Sequence, residues 1–383
     1  MIKRLVIAAA VVMATASFAP AQEVDDLNIQ VHGYVTQGFV YTTHNNWNTT
    51  DSTDGSPAWS EAVVNVSAQP DPRLHIAVQG RYFLLGTLTN QITLDWAQFD
   101  YKRNDYFGVR AGKVKTPMGI FNETQDIDPA QLWILLPQSI YPLASRNSDL
   151  SIYGGVAYGS VRMGGHMGKL QYRAFGGERV LASNDGYFQN LRDAGLTVPN
   201  GISGKTGGGS ARWETPVRGL MVGASERSGR LNGAIMAGPD SGTIKLSQYR
   251  QTWYFAKYEK DRLSLTAEAS RVQVKVDLDL TGLPPSFFLI DDHAFYVMGS
   301  WRITSKLSGG LYFGSTVDHK ADYGDARYAK DWALAARYDF NSFLYAKVEQ
   351  HWIDGTDIAF YAVNNDNIQP NTKMTLLKMG VSF

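Results

Sequence analysis

Arginine residues recur on one side of a two-residue alternation that runs through much of the chain. In residues 73–82, for example, Leu74, Ile76 and Val78 alternate with Gln79 and Arg81. The polar side of such a strand would face a water-filled interior. Fewer acids than arginines share this inward phase. The arginines are Arg73, Arg81, Arg110, Arg173, Arg212, Arg302 and Arg337, and the acids include Glu214, Glu268 and Glu349.

These arginines have two possible roles. A row of cations along a narrow passage with low-dielectric walls attracts anions, which predicts a preference for anionic solutes. The same cations could instead pair with loop carboxylates and brace the wall. The sequence leaves both roles open.

Catalytic or metal-binding patterns are not evident. His32, His75 and His351 lie singly on the inward phase, and no Gly-x-Ser-x-Gly motif occurs. The stretches 291–293 (Asp-Asp-His) and 318–319 (Asp-His) are better explained as charges of solvated loops than as a cation site. We therefore expect no enzymatic activity, no cofactor and no metal site.

Alternating segments that are separated by turns account for most of the chain. Short turns fall at residues 70–72, 103–106, 164–168, 215–219, 259–262, 304–306 and 339–343. Longer loops fall near residues 43–57, 85–91, 113–150, 178–206, 226–243, 275–292, 318–330 and 354–371. Seven short turns that alternate with eight longer loops predict sixteen strands, and this arrangement is typical of an antiparallel transmembrane barrel.

The faces of individual strands support a barrel in a membrane. In residues 343–352, Leu344 and Val348 would meet lipid, while Lys347 and His351 would face the lumen. A lipid-facing Lys or Arg at the midplane would cost about 2 to 4 kcal/mol. Residues 92–101, 244–258 and 263–276 alternate less cleanly, and a β-bulge or a different register would explain each.

The N-terminus predicts export from the cytoplasm. Lys3 and Arg4 precede an apolar run, and small residues follow at 19–21, so residues 1–21 are interpreted as a cleaved signal peptide and 22–383 as the barrel. Without Lys3 and Arg4, 34 basic residues stand against 36 acidic ones. This balance does not favour nucleic acid as a partner. The chain has no cysteine, which excludes disulfides and thiolate sites.

The final strand, residues 372–383, resembles the closing strand of bacterial outer-membrane barrels, because Leu377, Met379, Val381 and Phe383 alternate with polar or small residues. In such barrels a terminal Phe is read by the assembly machinery. The resemblance implies the bacterial outer membrane as the location. It also implies contact with outer-membrane lipid, lipopolysaccharide and the barrel assembly machinery.

A second resemblance lies at residues 112–149. The order Gly112, Lys115, Pro117, Gly119, Arg146 and Asp149 is similar to the phosphate-selective porin O and P family, in which a long constriction loop follows this motif. That family implies a homotrimeric diffusion channel. The closely spaced lysines tied to phosphate selectivity are reduced here to Lys113 and Lys115, so phosphate is an open question.

The apolar middle of this loop decides where it should lie. Residues 130–143 are too apolar for disorder or for exposure above the rim, so we expect the loop to fold into the lumen. A short helix should start at Asp128 or Pro129, and Leu132, Ile134 and Leu136 should contact the wall. The alternative is an outward cap at a trimer interface. The residues expected to edge the opening are Lys115, Glu123, Asp126 and Arg146.

The sequence thus predicts an all-β fold, a 16-stranded antiparallel transmembrane β-barrel with a long inward-folded constriction loop. Its predicted function is passive diffusion of small hydrophilic solutes with a weak preference for anions, phosphate among them. The alternative is a barrel without an open pore that supports an enzyme or acts as an adhesin. The predicted pore-lining or constriction residues are Arg81, Arg110, Lys113, Lys115, Glu123, Asp126, Arg146, Arg173, Arg212, Arg302, Arg337 and Lys347.

Overall fold

A computed structural model of the protein describes residues 27–164 and 167–383. The predicted signal peptide therefore lies outside the described residues. Sixteen long strands form one antiparallel sheet, and the first strand pairs with the last along Tyr34↔Ser382 to Thr42↔Met374. This pairing closes the sheet, so the predicted 16-stranded barrel is confirmed. Among the described residues, no helix has the length and apolarity needed to cross a membrane.

The strands are numbered in chain order. They are β1 Gln30–Thr42, β2 Ser56–Asp71, β3 Leu74–Leu85, β4 Thr89–Lys102, β5 Gly108–Lys115, β6 Ser151–Arg162, β7 Lys169–Leu181, β8 Ile202–Glu214, β9 Leu220–Ala237, β10 Asp240–Lys260, β11 Leu263–Leu280, β12 Ser286–Arg302, β13 Leu307–Asp318, β14 Tyr328–Asp339, β15 Leu344–Gly355 and β16 Asn371–Ser382.

The remaining elements are short. A two-residue strand, Leu196–Thr197, pairs with the far end of β9. Two single-turn α-helices span Arg146–Leu150 and Gln189–Asp193. The 3₁₀ turns are Asp128–Ala130, Leu143–Ser145, Gly186–Phe188, Asp325–Arg327 and Ala362–Asn364.

Burial alternates along the strands with the predicted phase. In β1 the outward Val35 is 55% exposed, whereas the inward Tyr34 and Thr36 are buried. In β15 the inward Lys347 and His351 are buried. Charged side chains can be buried there because the lumen supplies partners for them, and lipid would not.

Three predicted long loops are mostly strand. Residues 86–88 join β3 to β4, 238–239 join β9 to β10, and 281–285 join β11 to β12. Strands β9 to β12 have 17 to 21 residues. A tilted strand needs only about 9 to 11 residues to cross the hydrocarbon layer, so these hairpins continue beyond it.

The irregular alternation of residues 263–276 follows from this extension. Near the short turn Leu265 faces outward, but beyond Ala269 the outward residues are polar, and Val274 and Val276 face inward. The β11–β12 register is continuous, so β11 has no bulge there. The strand passes from lipid into water, and its apolar side turns to an interior cluster. The other two irregular strands, β4 and β10, do contain register shifts.

The apolar cluster inside the extended hairpins is covered by residues 182–201, called the cap segment. Phe188 and Val198 of the cap segment pack with Ile235 on β9 and Val276 on β11. Asp185 accepts a hydrogen bond from the Tyr187 backbone N–H at 3.0 Å. The cap segment therefore closes the long-loop end of one side of the barrel.

The seam between β1 and β16 ends at Gly33 and Phe383. Their backbone groups exchange two hydrogen bonds of 3.0 Å. A Cβ placed on Gly33 would lie 2.6 Å from the Phe383 ring and 2.5 Å from the Val63 carbonyl oxygen, so the ring lies over a residue without a side chain. Phe383 is 64% exposed and extends the outward apolar row of β16.

We predict that Phe383→Asp lowers the yield of closed barrel. The substitution removes the ring over Gly33 and places a charge on the lipid-facing row, where charges are destabilising. The readout is the fraction of outer-membrane protein that migrates as a folded, heat-modifiable band. Tyr323→Asp is the control, because Tyr323 lies in a loop and is 96% exposed. Equal yields of the two variants would contradict the prediction.

Candidate functional site

Residues 116–150, called the constriction segment, fold into the lumen as predicted. The segment leaves β5 at Lys115 and returns at Ser151, where the strands pair directly with each other. The turn Asp128–Ala130 begins at the predicted position, with Pro129 in its first turn. The alternative of an outward cap is therefore wrong.

The apolar middle of the segment packs on the wall. Ile134 and Leu135 are buried in a cluster with Val40 and Phe83, and Met374 completes it from β16. Trp133 belongs to a second cluster, with its ring 5.1 Å from that of Tyr312. Leu132 and Leu136 pack against this second cluster and are partly buried. The predicted wall contacts are confirmed.

Asp128 is a buried carboxylate of the segment with three side-chain donors. It accepts hydrogen bonds from Lys378 at 2.8 Å, Lys347 at 3.0 Å and the Tyr345 hydroxyl at 2.7 Å. Lys347 also donates to the Trp133 carbonyl oxygen at 3.1 Å. Lys347, predicted to line the pore, thus holds the segment to β15 and β16.

Glu123 lies among three arginines on the opposite side of the lumen. Arg173 is 2.8 Å away, Arg110 3.2 Å and Arg212 3.5 Å. Arg110 also donates to Asp100 at 2.9 Å. All four side chains of the Glu123 cluster are partly exposed, unlike Asp128 and its partners. Three guanidinium groups meet two carboxylates here, Glu123 and Asp100, so the site retains an excess of positive charge that solvent can reach.

Two residues expected to edge the opening are buried. Asp126 is 1% exposed and accepts from Lys115 at 2.8 Å and from Gln79 at 2.9 Å. Arg146 is 4% exposed and pairs with Asp95 at 2.9 Å. A single carboxylate or guanidinium among apolar neighbours is stable only when paired, and the wall provides the pair. The expectation that they edge the opening is therefore wrong.

Among the other predicted pore residues, Arg81 and Arg337 are bonded to protein acceptors, and Arg302 is exposed. Arg81 is 2% exposed and pairs with Glu61 at 2.6 Å. Arg337 donates to the carbonyl oxygen of Gln131 at 2.7 Å and pairs with Asp339. Arg302 is exposed near a short turn. These positions favour the bracing role for most of the inward arginines.

Lys113 does not face the lumen. It pairs across the sheet with Ala97 and Tyr153, whose side chains point outward, and its ammonium lies 5.4 Å from the centre of the Tyr153 ring. The same ammonium donates to the Leu94 carbonyl oxygen. Gly112, just before it, has φ +125°. The prediction of Lys113 as a constriction residue is wrong because strand alternation places it on the outer side.

Two acceptors that hold the segment, Glu268 and Glu349, were not assigned this role from the sequence. Glu268 accepts the Ile120 N–H at 2.6 Å and the Tyr141 hydroxyl at 2.5 Å. Glu349 accepts the backbone N–H groups of both Ile134 and Leu135. The sequence showed that Glu268 and Glu349 lie on the inward phase. It did not show which backbone amides of the constriction segment they bind, because those amides are distant in sequence.

Asp149 and His351 complete these interactions. Asp149 accepts from Arg179 and from Arg227, each at 2.7 Å. His351 lies between Asp331 at 3.0 Å and Glu349 at 3.1 Å. Glu349 accepts the backbone N–H groups of the constriction segment, and the hydrogen bond from His351 positions the Glu349 carboxylate for that contact.

Taken together, these contacts run all around the lumen. The segment is bonded to β1 through the Tyr34 hydroxyl and the Asp126 carbonyl, to β9 through Ser225 and Gly119, and to β14 through Arg337. The contacts described above add β3 to β5, β7, β8, β11, β15 and β16. The segment crosses the lumen and narrows it.

The charge partners set the protonation of the segment. Burial alone would raise the pKa of Glu123, but its three arginines outweigh burial and hold the pKa below its ordinary value. The lysines act likewise on the pKa of Asp128, and Arg179 and Arg227 on the pKa of Asp149. These three carboxylates are ionised at neutral pH, and their stabilising effect is lost as pH falls through their lowered pKa values.

Asp185 in the cap segment behaves oppositely. It is buried, and it also accepts a hydrogen bond from the Ser148 hydroxyl of the constriction segment. Burial raises the pKa of Asp185 to about 6, although its hydrogen bonds partly oppose the shift. Its neutral form is therefore favoured by the fold. The resulting stabilisation is full below the ordinary carboxyl pKa and is lost as pH rises through about 6.

Comparison with known families gives one match over most of the chain. The model of a family described as Gram-negative porin matches residues 8–356. Among curated proteins, no significant match to the chain is found.

Solved structures with a similar fold include the following three. Salmonella typhi OmpF, in complex with daunomycin, has a TM-score of 0.56 at 12% identity, with 94% of this chain and 99% of that chain covered. The anion-selective porin from Comamonas acidovorans has a TM-score of 0.54 at 10% identity, with 93% and 99% covered. In vitro folded OmpT of Vibrio cholerae, in its trimer form, has a TM-score of 0.53 at 12% identity, with 93% and 99% covered.

We predict that Asp128→Asn destabilises the barrel by about 3 to 5 kcal/mol, because it leaves Lys347 and Lys378 buried without their carboxylate. The measurement is the free energy of unfolding in urea for protein folded in detergent micelles. The matched control is Glu259→Gln, which breaks an exposed pair with Lys257 and should cost less than about 1 kcal/mol. A difference of under about 1 kcal/mol between the variants would contradict the anchoring role.

A second prediction concerns pH. Asp185→Asn removes a carboxyl that must ionise in a buried position above pH 6, so it should stabilise the protein at pH 7.5 by on the order of 2 kcal/mol. At pH 4, where Asp185 is already neutral in the folded state, the variant and the parent should differ little. Urea unfolding at both pH values tests this. An equal effect of the substitution at both pH values would show that the charge of Asp185 plays no part.

Proposed function

The chain belongs to the Gram-negative porin family and forms an outer-membrane diffusion channel, and on that premise we propose that its solutes are small and hydrophilic, with a weak preference for anions. The observation that carries the anion preference is the Glu123 cluster. There Arg110, Arg173 and Arg212 share one carboxylate and remain partly exposed. A passing anion gains from this excess charge, and low-dielectric walls strengthen the interaction.

Phosphate is the narrower proposal within this function. It is supported by the likeness of residues 112–149 to the phosphate-selective porins. The lysines of that motif are not its basis in this chain, because Lys115 is bonded to Asp126 and Lys113 faces outward. Any selection of phosphate would come from the arginines of the Glu123 cluster.

Further proposals follow from membership of the family. We propose cleavage of residues 1–21 on export, assembly by the barrel machinery, and a homotrimer, since the Vibrio cholerae OmpT that shares the fold is described in a trimer form. Lipid and lipopolysaccharide would surround the outward apolar rows. We propose no enzymatic activity, because the inward histidine with the most partners, His351, is engaged by two carboxylates.

One observation favours the alternative of a barrel without an open pore. The constriction segment is bonded on all sides of the lumen, and its apolar middle is buried. In that case the barrel would support another activity, as an adhesin or an enzyme scaffold, and would pass no current. The two functions differ in a single measurement.

We predict stepwise conductance in a planar bilayer with a KCl gradient, and a reversal potential on the anion side. Glu123→Gln removes the carboxylate that offsets three arginines, so it should move the reversal potential further toward chloride, with a larger shift at low salt. Glu226→Gln is the control, because Glu226 lies outside the lumen in an exposed pair with Arg250.

The outcomes separate the proposals. If the correctly folded parent protein shows no conductance, the barrel has no open pore. Conductance with a cation-side reversal potential would keep the channel and remove the anion preference. Equal shifts for the two variants would show that the Glu123 cluster is not on the ion path.

A further inference from the structure

A cavity of about 380 Å³ lies inside the barrel at the short-turn ends of β4 to β7. We call it the turn-side vestibule. Five of its lining residues are basic. They are Lys102, Arg110, Arg162, Lys169 and Arg173. The vestibule is next to the Glu123 cluster, with which it shares Arg110 and Arg173, so it lies where a solute would enter or leave the constriction.

The basic residues of the vestibule are only partly neutralised. Lys102 pairs with Asp105, and Lys169 lies 3.9 Å from Glu214, both in exposed positions. Within residues 27–164 and 167–383, Arg162 has no carboxylate within ion-pair distance. The neighbouring Arg212 raises the number of basic groups in and beside the vestibule to six. The acidic groups paired with them number four: Asp100, Asp105, Glu123 and Glu214. A ligand with two negative charges would balance the site.

The size and the lining describe the rest of the ligand. The vestibule is within the usual range of small-molecule sites and is far larger than one inorganic anion needs. Ser160 offers a hydroxyl, and Gln171 offers its amide oxygen, while its amide nitrogen donates to Glu214 at 2.5 Å. The Tyr158 ring stacks under the Arg110 guanidinium at 4.8 Å. Such a wall suits a hydroxylated body more than an apolar one, because its polar groups would otherwise lose their hydrogen bonds to water.

We propose that the turn-side vestibule binds phosphorylated sugars and similar hydrophilic dianions, and holds them at the mouth of the constriction. The phosphate would lie between Arg162 and Lys169, where the positive charge is least neutralised. The hydroxylated body would lie along Tyr158, Ser160 and Gln171. This inference rests on the proposed diffusion function, since it names the solute class that the channel would retain.

The test compares three probes: glucose 6-phosphate, glucose and inorganic phosphate. Each is added in turn to either side of a bilayer that contains the protein in KCl. Glucose 6-phosphate should reduce the chloride current at lower concentration than inorganic phosphate does, and more effectively from one side. Glucose should have no effect. In the double variant Arg162→Ser with Lys169→Ser, the half-blocking concentration should rise at least about tenfold, because the unpaired charge of Arg162 and the weakly paired charge of Lys169 are both lost.

The matched control is Arg262→Ser combined with Lys306→Ser. It removes one arginine and one lysine from exposed short turns that do not line the vestibule. The control should block like the parent. Equal block of parent and double variant, or equal block by glucose 6-phosphate and inorganic phosphate, would overturn the proposal.

Calorimetric titration of the detergent-solubilised protein with the same probes separates this inference from the channel function. If the protein is silent in bilayers but binds glucose 6-phosphate, and the double variant does not, the vestibule is a site and the diffusion function fails. Conductance without block or binding would leave the diffusion function and overturn the vestibule.

Discussion

The structure depends on one constraint: every charge and backbone amide that the constriction segment carries into the lumen must find a partner there. Asp128 meets two lysines, Glu123 three arginines, and Asp126 a lysine and an amide. Buried ions without partners would cost several kcal/mol each, so the segment has one satisfactory position inside this wall. The inward charges of most strands are explained by that requirement before any solute is considered.

Because of this requirement, most of the inward arginines bond to groups of the protein itself. The sequence alone predicts a lumen that is lined with positive charge along its length. In the fold, Arg81, Arg146 and Arg337 are engaged by protein acceptors. The cations around Asp128 and Asp149 are buried, whereas those around Glu123 are partly exposed. The partly exposed arginines of the Glu123 cluster and the basic residues of the turn-side vestibule therefore form one continuous sector, to which we assign the proposed action on anionic solutes.

The sequence predicted the parts of the structure that are governed by local physics. Strand alternation gave the number and faces of the strands, and the apolar composition of residues 130–143 placed the constriction segment inside. The errors have a common cause. Residues 275–292 resemble a loop because their outer side meets water, and the expected positions of Asp126 and Arg146 ignored partners that lie far away in sequence, such as Gln79 and Asp95. Lys113 was misplaced because strand alternation turns it outward beside Tyr153.

The pairing of β1 with β16 has a consequence for biosynthesis. The two strands are separated by nearly the whole chain, yet each lacks one of its two hydrogen-bonded neighbours until they meet. An unpaired strand edge is very unfavourable in hydrocarbon, and contacts between distant segments form slowly. The barrel can therefore lie stably in a membrane only after β1 and β16 have paired. A chain truncated before β16 would leave the edges of β1 and β15 unpaired, so closure of the seam also acts as a check on the completeness of the polypeptide.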